Sequence, residues 1–251
     1  MTNTSTELRD ALQQALNGSS AGPALLRRLV SHDEWRMPIN VDAGGKSHII
    51  YVKDTNGQRF QLLYSDERGY RDGVAAIGQA LLGERVLTTN GRALFADIGE
   101  DADILSINWG SPPEVFFRRP QFAGLRRWAR AVAVERSLAS PRPDLSLLKH
   151  FDEYYIVLQK IEGGYGLTLA PDGHNRKIAT VFTAEDNAEA FVRDQRAGQM
   201  GFEPVTRTIP GQHLFEDLKD LPLDGIVFNY SGPVPRRMFI AQLAGAVMDA
   251  P

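Results

Sequence analysis

A phosphate-binding loop is the first chemistry that the residue order suggests, because residues 40–47 end in Gly45-Lys46-Ser47. The glycine that should open such a motif is replaced by Asn40. Residues 48–52, His-Ile-Ile-Tyr-Val, have the composition of a strand, whereas a phosphate-binding loop leads into a helix. We therefore predict a hairpin turn at Gly44-Gly45 and no nucleotide site.

Nucleophiles and metal ligands show no catalytic arrangement along the chain. The sequence has no cysteine, which excludes disulfides, thiolate zinc sites, iron–sulfur clusters and a cysteine nucleophile. No two histidines stand one helical turn apart, and no HExxH motif occurs. Ser111 precedes two prolines and lacks the glycine flanking of a nucleophile elbow. We predict no catalytic residue, no metal site and no cofactor.

Arginines cluster in the middle of the chain, on a predicted helix with an apolar stripe. The cluster comprises Arg118, Arg119, Arg126, Arg127, Arg130 and Arg136. Guanidinium groups bind carboxylates and phosphates through paired hydrogen bonds, so a solvated face, an acidic protein partner and nucleic acid are all compatible. The cluster has no aromatic ladder of the kind that single-stranded nucleic acid needs. Arg126, Arg127 and Arg130 are therefore candidate contacts for a protein, and no nucleic-acid partner is predicted.

Two Asn-aromatic pairs follow predicted strands, Asn108-Trp109 in the first half and Asn229-Tyr230 in the second. Structurally, each asparagine would cap its strand by bonding loop backbone, and each aromatic ring would pack over the prolines that follow. Functionally, the aromatic side chains would anchor a protein partner on a symmetric surface. Both interpretations stay open, and the four residues are candidate partner-binding residues.

These pairs belong to an internal repeat. One group of residues recurs 120 positions later: Gly91, Leu94-Phe95 and Asp97 as Gly211, Leu214-Phe215 and Asp217. An upstream group recurs 118 positions later: Gly45, Asp54 and Glu67 as Gly163, Asp172 and Glu185. Because the offset is nearly constant along most of each half, we predict a tandem duplication.

Both copies predict the order β-β-β-α-β-α-β, which is an α+β fold preceded by N-terminal helices. Ser65 and Thr183 are expected to be helix N-caps, because acidic residues follow each of them. The first-copy helix should turn Val74, Ile77, Leu81 and Leu82 inward. The predicted divisions are an N-terminal helical segment at 1–35, a first repeat at 36–119, a connecting helix with a Pro-rich linker at 120–148, and a second repeat at 149–245.

Composition and charge describe an ordinary globular chain. Hydrophobic residues make up 43% and charged residues 24% of the 251 positions. The formal net charge of −3 gives no general attraction to nucleic acid or to an anionic membrane. No secretory signal pattern opens the sequence, and no apolar run is long enough to span a bilayer. We expect a cytoplasmic protein with no membrane association, and the sequence does not predict an oligomeric state.

The motifs of the second copy resemble the N-terminal domain of the SseB family. These motifs are Val181-Phe182-Thr183 with Phe191, then Gly211 with Leu214-Phe215, and then Gly225 to Asn229 with Gly232-Pro233. The first copy is less similar, with Ser65 in place of the threonine and Asp103 in place of the strand glycine. The resemblance implies a tandem SseB-like fold in a bacterial protein, and it supplies no catalytic residues.

A duplicated scaffold without a catalytic constellation favours a non-catalytic interaction module, such as an adaptor or an immunity-type protein that binds a toxin or effector. We expect a protein partner, whose identity the sequence does not give. The alternative is a small-molecule-binding protein or an enzyme with a polar pocket at the repeat interface, where Asn108 and Asn229 would form paired sites.

Overall fold

The computed structural model describes residues 4–17, 22–78, 85–99, 101–170, 174–198, 203–230 and 235–239. The chain divides into two compact units, Met1–Val132 and Ala133–Pro251, called here unit 1 and unit 2. Both contain helices and strands, and helices precede the first strand, so the predicted α+β class is confirmed. The expected positions of Leu81, Leu82 and Gly232-Pro233 lie outside the described residues.

Eight helices are described. Those of unit 1 are α1 (Thr4–Leu16), α2 (Pro23–Ser31), α3 (Glu67–Ile77) and α4 (Gly91–Ala96). Helix α5 (Phe122–Ala139) runs across the division between the units. Those of unit 2 are α6 (Leu145–Lys149), α7 (Glu185–Gly198) and α8 (Gly211–Lys219). Pro23 opens α2 at a position where a proline costs no hydrogen bond.

Unit 1 has two sheets that adjoin at one bridge. Its strands are β1 (Trp35–Val41), β2 (Ser47–Ile49), β3 (Tyr51–Lys53), β4 (Arg59–Leu63), β5 (Arg85–Thr89), β6 (Ile104–Ile107) and β7 (Val115–Arg118). The sheet orders are β2-β1-β5 and β3-β4-β6-β7. Backbone hydrogen bonds of 2.9 Å in both directions between Arg36 and Tyr64 join β1 to the residue after β4.

Unit 2 has one seven-stranded sheet. Its strands are β8 (Tyr154–Ile161), β9 (Gly164–Leu167), β10 (Leu169–Ala170), β11 (Ile178–Phe182), β12 (Pro204–Ile209), β13 (Gly225–Phe228) and β14 (Arg236–Phe239). The main order is β12-β8-β11-β13-β14, with β9 paired to β8 and β10 paired to β11. The pairs β4–β6 and β11–β13 are parallel, so two strands end at the same edge in each unit.

The same order of elements occurs twice, from α1 to β7 and from α5 to β14. Helices α5 and α6 stand before β8 as α1 and α2 stand before β1. The predicted N-terminal segment 1–35 and the predicted connecting segment 120–148 therefore contain corresponding helix pairs.

The predicted second strand is interrupted in both copies. Residues 47–49 pair with β1, whereas residues 51–53 pair with β4, so the chain changes sheet at Ile50. In unit 2, β9 pairs with β8 and β10 with β11, with the change at Thr168. A strand that bends between two partners has the same alternation as a continuous one, which is why the sequence pattern did not show the break.

Hydrogen bonds define the turn between β1 and β2 and the N-cap of α3. The Gly44-Gly45 turn is a hairpin, since the Asp42 N–H donates to the Lys46 carbonyl over 3.0 Å. Asp66, and not Ser65, is the N-cap of α3: its side chain accepts the Gly69 N–H at 2.7 Å. The prediction was wrong by one residue because Ser65 is buried and bonded to Asn108 instead.

Apolar side chains from sheet and helix make the core on the α3 face of unit 1. Phe60, Leu62 and Tyr64 are buried there, and Val74 and Ile77 of α3 pack against them, as predicted for these two. In unit 2, Phe182 and Phe191 are completely buried in the corresponding layer. Strands β6 and β13 thus hold the Asn-aromatic pairs at the edge of a packed layer.

Candidate functional site

Asn108 connects the carboxyl ends of the two parallel strands of unit 1. Its backbone has the left-handed φ of 58°, and its N–H donates to the Leu63 carbonyl at 2.8 Å. Its Oδ1 accepts the Ser65 N–H at 2.9 Å and the Ser65 hydroxyl at 3.1 Å. Its Nδ2 donates to the Pro113 carbonyl over 3.3 Å. The side chain therefore fixes the β6–β7 loop to the start of α3.

Asn229 makes the corresponding contacts in unit 2. Its φ is 49°, its N–H donates to Val181 at 2.8 Å, and its Oδ1 accepts the Thr183 N–H at 2.9 Å. Asn108 and Asn229 are both completely buried. Neither amide is on a surface that a partner can contact directly, and each is bonded within its own unit. Their role in the structure is to position the aromatic residue that follows.

Trp109 and Phe116 form a pair at the margin of the α3 face, called here the aromatic strip. The Trp109 ring is partly buried and lies edge to face against Phe60, with centroids 5.0 Å apart. Phe116 meets Trp109 at 6.4 Å and is 49% exposed. Phe116 is in register with Ser106, so it points to the side of the sheet that α3 covers.

Phe116 was missed by the sequence analysis because strand β7 was missed. The residues Val115-Phe116-Phe117-Arg118 follow two prolines and have the β-branched and aromatic composition of a strand. The exposure pattern shows Phe117 buried between exposed Phe116 and Arg118. This run was the available signal, and β14 in unit 2 was missed in the same way.

Tyr230 lies differently from Trp109. Its ring packs at a right angle on Phe191, 6.0 Å away, and adjoins two core clusters of unit 2. The residue of β14 that corresponds to Phe116 is Arg237, in register with Val227. An aromatic strip is therefore found in unit 1, and unit 2 has a single half-buried tyrosine with an arginine at the second position.

The three candidate arginines lie on α5 and not in the aromatic strip. Arg126 is half-buried, and its Nη1 donates to the Ile98 carbonyl at 3.4 Å. Arg127 and Arg130 are exposed. Trp128 of the same helix has the guanidinium carbon of Arg27, a residue of α2, 4.9 Å from its ring centroid. This helix face is cationic, but its contacts show no built anion site.

A half-buried ion pair fixes α1 to the start of α3. Arg9 binds Asp66 with both ends of its fork, at 2.6 and 3.0 Å. Burial by itself would raise the pKa of Asp66, but the hydrogen bonds from Arg9 and from the Gly69 N–H outweigh it and hold the pKa below its ordinary value. The hydrogen bond to Asp66 raises the pKa of Arg9 in turn. Both groups are therefore charged at neutral pH.

Within the described ranges, no three histidine, aspartate or glutamate side chains converge to hold a metal ion. His32 is buried with its Nε2 2.8 Å from the Ser65 carbonyl, and burial lowers its pKa, so the ring is neutral at pH 7.

The helices of the chain and its similarity to known proteins give two further findings. In the part of the chain that the structure describes, no helix combines the length and the apolar character needed to cross a membrane. No family model matches the sequence, and neither does any curated protein. A solved structure, Anabaena Tic22 (protein transport), is similar at 10% identity over 78% of this chain and 86% of that chain, with a TM-score of 0.22. A similarity at that level carries no argument about function.

Proposed function

We propose that this chain is a non-catalytic protein-interaction module, of the adaptor or immunity type, in a bacterial cell. The aromatic strip carries the proposal, because Phe116 leaves 49% of its surface exposed beside a partly buried tryptophan. Large aromatic side chains are enriched among interface hot spots, where a partner covers them and excludes water.

The contacts behind the strip favour binding without rearrangement. Trp109 is backed by Phe60 at 5.0 Å, and the residue before it, Asn108, is held by Ser65 and Pro113. A side chain that is already ordered loses less conformational entropy when a partner covers it. Phe116 lies on β7, a strand at the edge of the described four-stranded sheet. Edge strands that carry aromatic side chains are frequent sites of protein association.

The experiment that tests the proposal is quantitative purification of tagged protein from native cells. A protein that copurifies in stoichiometric amount with the wild type should be recovered about 30-fold less with Phe116→Asp, the effect of losing a hot spot worth about 2 kcal/mol. Tyr165→Asp is the matched control, since Tyr165 is a comparably exposed aromatic at 54% in unit 2. The proposal fails if no protein copurifies, or if both variants recover it equally.

A second variant separates binding from folding. Trp109→Ala removes the ring that packs on Phe60, so it is expected to lower stability as well as binding. Phe116→Asp changes a half-exposed side chain and should leave the unfolding temperature nearly unchanged. Loss of the partner in Phe116→Asp without loss of stability therefore indicates a direct contact.

A further inference from the structure

A charged cleft of about 420 Å³ lies within unit 1. It lies beside the carboxyl end of β4, the place where ligands bind in sheets with parallel strands. Its size is that of a small-molecule site. Six of its seven lining residues are charged, and the lining comprises Thr6, Arg9, Glu34, Arg36, Asp66, Glu67 and Arg68. This cavity and its seven lining residues are called here the arginine cleft.

In one part of the arginine cleft, the polar groups of Arg9 and Asp66 already have hydrogen-bond partners. The Arg9 Nε and Nη2 donate to Asp66, and the Arg9 Nη1 donates to the Pro112 carbonyl at 3.0 Å. Asp66 also accepts the Gly69 N–H. This pair is rigid and electrically neutral, so it shapes the cleft and leaves recognition to the other arginines.

A second ion pair of the cleft can release a guanidinium group. The Arg36 Nη1 lies 2.7 Å from Oε2 of Glu67, while Oε1 of the same carboxylate accepts from Arg71 Nε at 2.9 Å. Glu67 thus keeps a cationic partner when Arg36 turns to a ligand. Arg68 is 83% exposed at the rim, and its nearest carboxylate, that of Asp72, is 3.8 Å away.

The positions of unit 2 that correspond to these arginines carry other residues. Arg36 and Tyr155 correspond, since each follows the buried aromatic residue, Trp35 or Tyr154, that donates to a carbonyl of the preceding helix region. Arg68 and Asp186 correspond, because each stands three residues after the hydroxyl residue bonded to the strand-end asparagine.

The first helix of each copy also differs in charge at the residue that contacts the start of a later helix. Arg9 of α1 contacts Asp66, next to Ser65, whereas Glu135 of α5 accepts the hydroxyl of Thr183 at 2.8 Å. The three arginines of the cleft thus correspond to Glu135, Tyr155 and Asp186 in unit 2. The two units share the buried asparagine network, but unit 2 carries a carboxylate at two of these positions and an uncharged tyrosine at the third.

We propose that the arginine cleft binds the oxyanion group of a small ligand, a phosphate or a carboxylate, through Arg36 and Arg68. Guanidinium groups match both kinds of oxyanion through paired, charge-assisted hydrogen bonds. This site is separate from the aromatic strip, so it stands or fails independently of the proposed protein-interaction function.

Titration with inorganic phosphate and, in a second arm, with succinate tests the proposal, with backbone amide shifts as the readout. Saturable shifts of the backbone amides of Glu67, Arg68 and Gly69 are expected. The dissociation constant should be about 1 mM, which is typical of a weak ligand with a single charged group. Arg68→Gln should weaken binding about fivefold or more, and Arg36→Gln likewise, since each removes one charged donor set. Saturation by one probe alone identifies the oxyanion class, and saturation by both supports the shared chemistry.

Arg193→Gln is the matched control, because Arg193 makes an exposed pair with Glu189 one turn earlier, on α7 of unit 2. Its binding should equal that of the wild type. Arg68 is largely exposed, so its variant reports binding even where Arg36→Gln loses stability. The proposal is overturned if the wild type shows no saturable shifts at these amides, or if Arg68→Gln binds as tightly as Arg193→Gln.

Discussion

Asn108 and Asn229 end their strands in the left-handed region, with φ of 58° and 49°. Asparagine tolerates this conformation better than other residues with a Cβ, and its amide also bonds the neighbouring strand end. Asparagine therefore stabilises the strand end in two ways, through its backbone conformation and through its side-chain hydrogen bonds. Substitutions can measure the two contributions to stability separately.

Asn108→Gly should destabilise unit 1 by about 1–3 kcal/mol, because the buried Ser65 N–H loses its acceptor. Asn108→Ala should cost about 1 kcal/mol more, since alanine adds left-handed strain to the same lost bonds. Chemical denaturation of the three proteins measures both differences. Equal stability of the alanine and glycine variants would show that the strain is absent.

Asp66 gives a pH-dependent prediction. Its pKa is lowered in the fold, so its contribution to stability is present above its unfolded pKa and is lost as the pH falls through the folded value. Asp66→Asn keeps an N-cap but removes the charge that Arg9 binds. It should cost about 1 kcal/mol at pH 7, and this difference should disappear toward pH 2.

Denaturation of wild type and Asp66→Asn across that pH range measures the effect. Asp66→Ala is the companion variant, because it also removes the cap and should cost about 1 kcal/mol more at every pH. A wild-type advantage that does not change with pH would contradict the ion-pair account.

At the scale of elements, Gly91 and Gly211 let α4 and α8 begin directly against the preceding helix region. A Cβ at Gly91 would lie 2.5 Å from the Leu29 carbonyl oxygen, and one at Gly211 would lie 2.6 Å from that of Leu148. Backbone atoms cannot move aside as a flexible side chain can. This close approach explains why the glycine recurs in the sequence repeat.

Gly91→Ala and Gly211→Ala should therefore each destabilise their unit by about 1–3 kcal/mol. Gly124→Ala on α5 is the control, since nothing lies within 4 Å of the added methyl group and alanine favours a helix, so a gain of up to about 1 kcal/mol is expected. Thermal unfolding of the three variants measures the order. Tolerance of alanine at position 91 would contradict the packing at the start of α4.

The elements that the sequence predicted well are those with a strong local signal. Strands at 59–63 and 178–182 are apolar runs bounded by turns, and α3 and α7 begin with acidic residues after a hydroxyl residue. The parallel pairing and the change of sheet at Ile50 depend on contacts between distant residues, which no local pattern encodes.

The candidate site was predicted in part. Trp109 was predicted because it and Tyr230 both follow an asparagine at the end of a strand. The sequence could not show that the two asparagines are completely buried. Phe116 and the arginine cleft have no counterpart in the repeat, so a search for shared residues passed over them. A repeat reveals what the scaffold requires, and the residues that differ between the units are better candidates for function.

In the whole molecule, the two units have the same order of elements but carry different surfaces. Unit 1 has the aromatic strip and the arginine cleft, whereas unit 2 has Arg237 at the position of Phe116, and Glu135, Tyr155 and Asp186 at the positions of the three arginines. Membership of the SseB family stays a prediction. The proposed contact between the aromatic strip and a protein partner concerns unit 1 alone.

The most direct measurement is photocrosslinking in native cells with a benzophenone amino acid at position 116, and at position 165 as the control. The account predicts one discrete crosslinked protein from position 116, suppressed by excess untagged wild type but not by Phe116→Asp. No product from position 116, or the same product from position 165, would contradict it.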